Sequence, residues 1–149
     1  MASKDSLTIN IRIDGLREVL AALNKLPKDA SAELKVKAKE IATELAKSAK
    51  AAGTAEGSQA ALVATTVKAM KDRVPVIQAG GSKKLGRNKK PAFKLLFGSE
   101  FGSDRYEQFG KPHIGKGSYW FFKTVEDEQA TVSAKWLEAA DEVIRKFSD

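Results

Sequence analysis

Ser6-Leu-Thr-Ile-Asn-Ile-Arg-Ile-Asp-Gly-Leu16 decides how the chain begins to fold. Leu7, Ile9, Ile11 and Ile13 alternate with Thr8, Asn10 and Arg12, and a period of two predicts a half-buried β-strand. Asp14-Gly15 stops that strand, and Asp14 is placed to cap the next element. Leu16, Val19, Leu20 and Leu23 then return at helical spacing until Leu26-Pro27 ends the run, which predicts a short amphipathic helix. A strand leading directly into a helix points to mixed architecture.

The pattern continues outward from there. A second helix is expected from Asp29 or Ser31, with Leu34, Ala38, Ile41, Leu45 and Ala49 on a narrow, Ala-rich stripe suited to close helix contact or an interface. Gly53 to Gly57 is expected to interrupt it. Ser58 to Thr66 reads as a brief helix passing into strand, because its Ala residues favour helix while Val63, Thr65, Thr66 and Val67 favour strand. Val67 to Lys71 and Val74 to Ala79 read as two strands joined around Asp72-Arg73. Pro75 cannot donate to a ladder, so the second strand should lie at an edge or begin there.

After Gly80-Gly81 comes a basic flexible loop at about 82–92, then an apolar knot, Phe93-Lys-Leu-Leu-Phe97. Tyr119-Trp-Phe-Phe122 is expected to form a short final strand, with Tyr119 and Phe121 on one face and Trp120 and Phe122 on the other. Thr124 and Asp127 resemble a capping box, and Glu126, Asp127 and Glu128 suit a helix's first turn. Val125, Val132, Trp136, Ala140, Val143 and Phe147, widened by Leu137 and Ile144, then predict a terminal helix. The expected fold is α+β: a small, mostly antiparallel sheet packed by helices, with a long C-terminal helix, in a single domain over residues 1–149.

Composition bounds the function. No apolar run approaches the ~18 residues of a membrane span, and MASKDSLTIN lacks a secretory signal's apolar segment, so synthesis in the cytoplasm and no membrane partner are expected. With no Cys and one His, disulfides and thiolate metal sites are excluded, and no cofactor is expected. The net charge is +7, but Lys83, Lys84, Arg87, Lys89, Lys90 and Lys94 lie between Ser82 and Lys94 without an acid. The excess is therefore local, and suits DNA or an acidic partner.

Candidates for catalysis are weak. Glu100, Asp104 and Glu107 lie close together, yet their spacing fits no hydrolase or nuclease pattern, and solvated loop charges are the expected state. His113 has no sign of a nucleophile and a third orienting group. Gly115-Lys-Gly-Ser118 lacks the upstream Gly of a phosphate loop and has Gly117 where Ser or Thr is required. No enzyme activity is expected.

Phe97-Gly-Ser-Glu-Phe-Gly-Ser-Asp-Arg-Tyr-Glu-Gln-Phe-Gly110 holds three of the seven Phe, each followed by Gly. It reads as a loop pinned at Phe97, Phe101 and Phe109, with Gly98, Gly102 and Gly110 permitting turns between the pins. Together with Val74-Pro-Val-Ile-Gln-Ala-Gly-Gly81, the basic loop, Leu96 to Gly102, Gln108-Phe109, Gly117 to Val125, and the opening Ile13-Asp-Gly-Leu16 to Leu23, it resembles the head-tail connection proteins of long-tailed bacteriophages, also called tail-completion, neck or minor tail proteins. The resemblance spans nearly the whole chain and is strongest from Val74 to Val125. Many relatives carry a Pro/Thr/Gly-rich junction where this chain has only Gly53-Thr-Ala-Glu-Gly57.

The resemblance implies a non-enzymatic virion subunit at the head-tail junction, assembled with itself as a six-fold ring around a DNA channel. Its neighbours would be head-completion and tail-terminator or tail-tube proteins. Glu100, Phe101, Gly102, Phe109, Tyr119, Trp120 and Phe122 would anchor loop and interface. Lys83, Lys84, Arg87, Lys89, Lys90 and Lys94 would face DNA or an acidic partner. The rival reading is a small nucleic-acid-binding protein acting through Lys83 to Lys94.

Overall fold

A computed structural model describes residues 6–101 and 119–148. The fold is α+β, as expected: β1 (Ser6–Asn10), α1 (Leu16–Asn24), α2 (Lys28–Glu56), α3 (Ser58–Ala64), β2 (Lys68–Met70), β3 (Val76–Gly80), β4 (Lys84–Leu85), β5 (Lys90–Pro91), α4 (Ala92–Phe101) and α5 (Trp120–Phe147). β1, β3 and β2 form an antiparallel sheet in that order, and β4 and β5 a separate hairpin.

The alternation read in Leu7 and Ile9 sets the register. Leu7 lies opposite Ala79, and Ile9 opposite Ile77, which in turn faces Ala69, so one row of apolar side chains meets the core. Thr8 and Gln78 share the opposite face, where the Gln78 amide donates to the Thr8 hydroxyl at 3.2 Å. Of the two places expected for Pro75, an edge strand or a strand's start, the second is found: β3 is central and begins directly after it. Pro75 stands one residue before β3 begins, where no ladder N–H is asked of it, and its carbonyl accepts from Ile11 N at 3.4 Å. Asp14 does not cap α1. The cap position is Gly15, at φ +79°, a left-handed conformation suited to glycine.

α2 runs for 29 residues, about 43 Å, straight through the expected break at Gly53. Its buried stripe, Ala30, Leu34, Ala38, Ala42, Leu45, Ala46, Ala49 and Gly53, packs mainly against α5. The small side chains let the two helices approach closely. Lys146 pairs with Glu33 at 3.0 Å, Glu142 with Lys37 at 3.5 Å and Lys135 with Glu44 at 3.0 Å, an order that runs the helices antiparallel. Such exposed pairs contribute at most about 1 kcal/mol each, so they register the helices more than they stabilise them.

Four further expectations change. The basic segment is not a structureless loop: β4 and β5 pair as a hairpin, with Gly86 (φ +73°) and Lys89 (φ +48°) in its turn, and Ala92 N and Phe93 N return to Lys83 O (2.8 Å) and Gly81 O (2.9 Å). Phe97 to Phe101 belongs to α4, so Gly98 is a buried helical residue and not a turn. Tyr119-Trp-Phe-Phe122 starts α5 and is not a strand. Because α5 starts at Trp120, Thr124 lies inside it and its hydroxyl donates to Trp120 O at 2.7 Å, leaving the expected capping box unformed.

Candidate functional site

The end of α4 meets the start of α5, and this junction gathers most of the aromatic anchors expected from the sequence. Tyr119 is the cap residue of α5; its φ of +39° is left-handed and its side chain makes no capping hydrogen bond. The first N–H groups of a helix lack partners within it. Glu100, on α4, supplies one: Oε1 accepts from Phe121 N, and the Glu100 carbonyl accepts from Tyr119 N at 3.3 Å. Glu100 is thus not a solvated loop acid but is 0% exposed.

Its electrostatics are a contest. The Phe121 and Phe122 N–H groups pull the carboxyl pKa down, as does the positive end of a helix in general. Burial opposes them and wins, with a smaller push from the Glu56 carboxylate, and the pKa rises to about 7. Oε2 has no hydrogen-bond partner among the described residues. One carboxyl oxygen therefore holds α5 while the other is buried without a partner among the described residues, which makes ionisation costly there.

Around this carboxyl the rings divide into two groups. Inside, Trp120 and Phe121 are buried and meet edge to face at 5.6 Å; Trp120 Nε1 donates to Ser99 Oγ at 2.9 Å, and that hydroxyl donates to Leu96 O at 2.9 Å. The Trp120 ring also lies over Gly53, where an added Cβ would stand 2.9 Å from Cζ3. Gly53 is a notch for an aromatic ring. Outside, half-buried Phe101 is the hub: Phe97 stacks on it at 6.1 Å, Tyr119 meets it edge-on at 5.4 Å and Phe122 lies 5.8 Å away. Phe97, expected to be a buried pin, is 45% exposed.

Of the proposed anchors, the fold thus brings together Glu100, Phe101, Tyr119, Trp120 and Phe122. Gly102, Phe109, Asp104, Glu107 and His113 lie outside the described residues. Among the described residues, no group of three His, Asp or Glu side chains could hold a metal ion, and no helix is long and apolar enough to cross a membrane. No protein-family profile, curated protein or solved structure matches the chain.

On the hairpin side, Lys83, Lys84, Arg87, Lys89 and Lys94 are exposed and Lys90 is half-buried. They form a second, basic feature, separate from the aromatic junction. Sequence reasoning missed Ser99, Phe121 and Gly53. For Gly53 a signal existed, since Leu45, Ala49 and Gly53 continue one stripe at intervals of four. For the burial of Glu100 there was none, because its partner is a main-chain N–H.

Proposed function

We propose that the protein is a non-enzymatic structural subunit of a long-tailed phage, assembled as a ring at the head-tail junction, where it completes or joins the tail around a DNA channel. The observation that carries this reading is the outward aromatic cluster at the α4/α5 junction, with Phe97 exposed on a base stiffened by Glu100 and Trp120. Exposed aromatic rings on a rigid base suit an interface core. Closing a ring by head-to-tail contacts takes two different patches on each subunit. Val36, 55% exposed on the outer face of α2, is a second large apolar side chain open to such a contact.

The test is to locate the chain in purified particles by electron microscopy and to ask whether Phe97→Ser blocks its incorporation. Incorporation should fall at least tenfold while the melting point of the purified subunit stays put. Absence of the chain from the virion sinks the proposal.

A second reading has its own observation: the exposed, acid-free hairpin. As a DNA-binding protein the chain would lose affinity when Lys83, Lys84, Lys89 and Lys90 are neutralised together, and would bind less as salt rises. If those changes leave DNA binding intact but stop particle assembly, the structural reading holds alone.

A further inference from the structure

Where β3 runs out into Gly80-Gly81, the surface sinks into a cavity of about 420 Å³. Its lining comes from separated parts of the chain: Lys50 on α2, Lys68 on β2 and Lys83 just before β4, with hydroxyl groups from Ser6, Thr65 and Ser82 between them. No Asp or Glu is among the described lining residues, and none of the three ammonium groups has an ion-pair partner among the described residues. Three like charges around one hollow repel each other unless an anion or solvent separates them.

The backbone is shaped to keep this hollow open. Gly80 and Gly81 both take positive φ, +85° and +102°, which side chains rarely adopt, and a Cβ on Gly81 would come 3.2 Å from Ser6 Oγ. Thr66 fixes the floor by accepting from Gly80 N at 2.9 Å and donating to Val63 O at 2.6 Å. The donors are therefore carried by a helix, a strand and a braced turn, not by a freely moving loop. No aromatic ring is among the described lining residues, so these offer nothing on which a nucleobase would stack.

We propose that this cavity is a phosphate site, in which Lys50, Lys68 and Lys83 surround the oxyanion and the Ser6 and Ser82 hydroxyls donate to its oxygens, the Thr65 hydroxyl being committed to Leu62 O at 2.6 Å. It extends beyond the hairpin to lysines on α2 and β2, and does not depend on ring assembly. The source of the phosphate we favour is the backbone of duplex DNA. Lys84, Arg87 and Lys89 continue the positive surface along the hairpin from Lys83, as a strand lying across both would require.

The decisive comparison uses two double variants of equal charge: Lys50→Gln with Lys68→Gln, and Lys35→Gln with Lys39→Gln. Lys35 and Lys39 line a different surface, beside Glu40 and Glu44. Binding of a fluorescent 20-base-pair duplex, followed by anisotropy from about 50 to 200 mM salt, should weaken about tenfold in the first variant, and the salt slope should fall by about two. The second variant should change affinity by less than about threefold. All four lysines are exposed, so circular dichroism should show both variants folded.

A second arm separates the sources: pyrophosphate is added during thermal unfolding, with sodium chloride matched for ionic strength. Stabilisation of the wild type but not of Lys50→Gln/Lys68→Gln, with duplex binding unchanged, keeps the phosphate site and assigns it to a free phosphate compound. Equal loss of duplex binding in both double variants, or no effect of the first in either arm, overturns the proposal.

Discussion

Trp120 and Trp136 lie on the same helix, both are buried, and both donate their indole N–H, yet they are held by different means. Trp136 belongs to the apolar stripe that α5 turns towards the core, and it donates to a main-chain carbonyl, Arg73 O, at 2.6 Å. Trp120 sits over the Gly53 notch and donates to a side chain, Ser99 Oγ, next to a buried carboxyl. A main-chain acceptor survives nearly any substitution; the Trp120 setting depends on a particular glycine, a particular hydroxyl and a particular acid. The middle of α5 is therefore core, and its first turn is a joint.

The contrast can be broken most forcefully from the core side. Trp136→Ala should cost about 4 kcal/mol in urea unfolding, because it empties a fully buried site in close-packed surroundings. At the joint the matching change is to fill the notch. Gly53→Val should cost roughly 3 kcal/mol, since the added carbons meet the rigid Trp120 ring and the Ala64 methyl, 3.0 Å from the new Cβ. Adding Trp120→Leu to Gly53→Val should return part of that loss. If the double variant is instead less stable than both single variants, the notch is not what positions Trp120.

The joint should titrate. The Glu100 carboxyl is held near pKa 7 in the folded protein, against about 4.5 when free. Between these values the folded state binds a proton that the unfolded state has released, so the stability that Glu100 contributes is fully present below pH 4.5 and is lost as pH rises through 7. A shift of this size corresponds to a loss of roughly 3 kcal/mol, complete above the folded pKa. Glu100→Gln keeps an oxygen for Phe121 N and removes the charge, so the difference in stability between wild type and variant should change along that pH course. A difference that stays constant from pH 4 to 8 would exclude a raised Glu100 pKa.

The same division explains how much of the molecule could be read from the chain. β1, α1, the stripe of α2 and the middle of α5 repeat apolar residues at two or at three and four, and burial of one face follows from that period. Trp136 was visible for this reason. Tyr119 to Phe122 has no period, being four consecutive aromatics of strand-forming type, while the packing of Trp120 into Gly53 and the bond from Phe121 N to Glu100 hold the last three in the first turn of α5. Gly53 looked like a break because glycine weakens helices, yet here tertiary contact offsets the backbone cost. Pro75 marked either an edge strand or a strand's start, and the chain alone could not choose between them; it stands just before a central strand. The basic run showed its charge but not its pairing: β4 and β5 have only two residues each, too short for a pattern.

The smallest test bears on the link between the joint's two polar members. Trp120→Phe leaves Ser99 still donating to Leu96 O, and Ser99→Ala leaves the Trp120 N–H without its acceptor in a buried place. The second change should therefore cost more than the first, by about 1 kcal/mol. In the double variant neither group is left unsatisfied, so the combined cost should fall short of the sum of the two single costs, by about 1 kcal/mol. Full additivity would mean that the indole and the hydroxyl are placed independently, and that the joint is held by Glu100 and Gly53 alone.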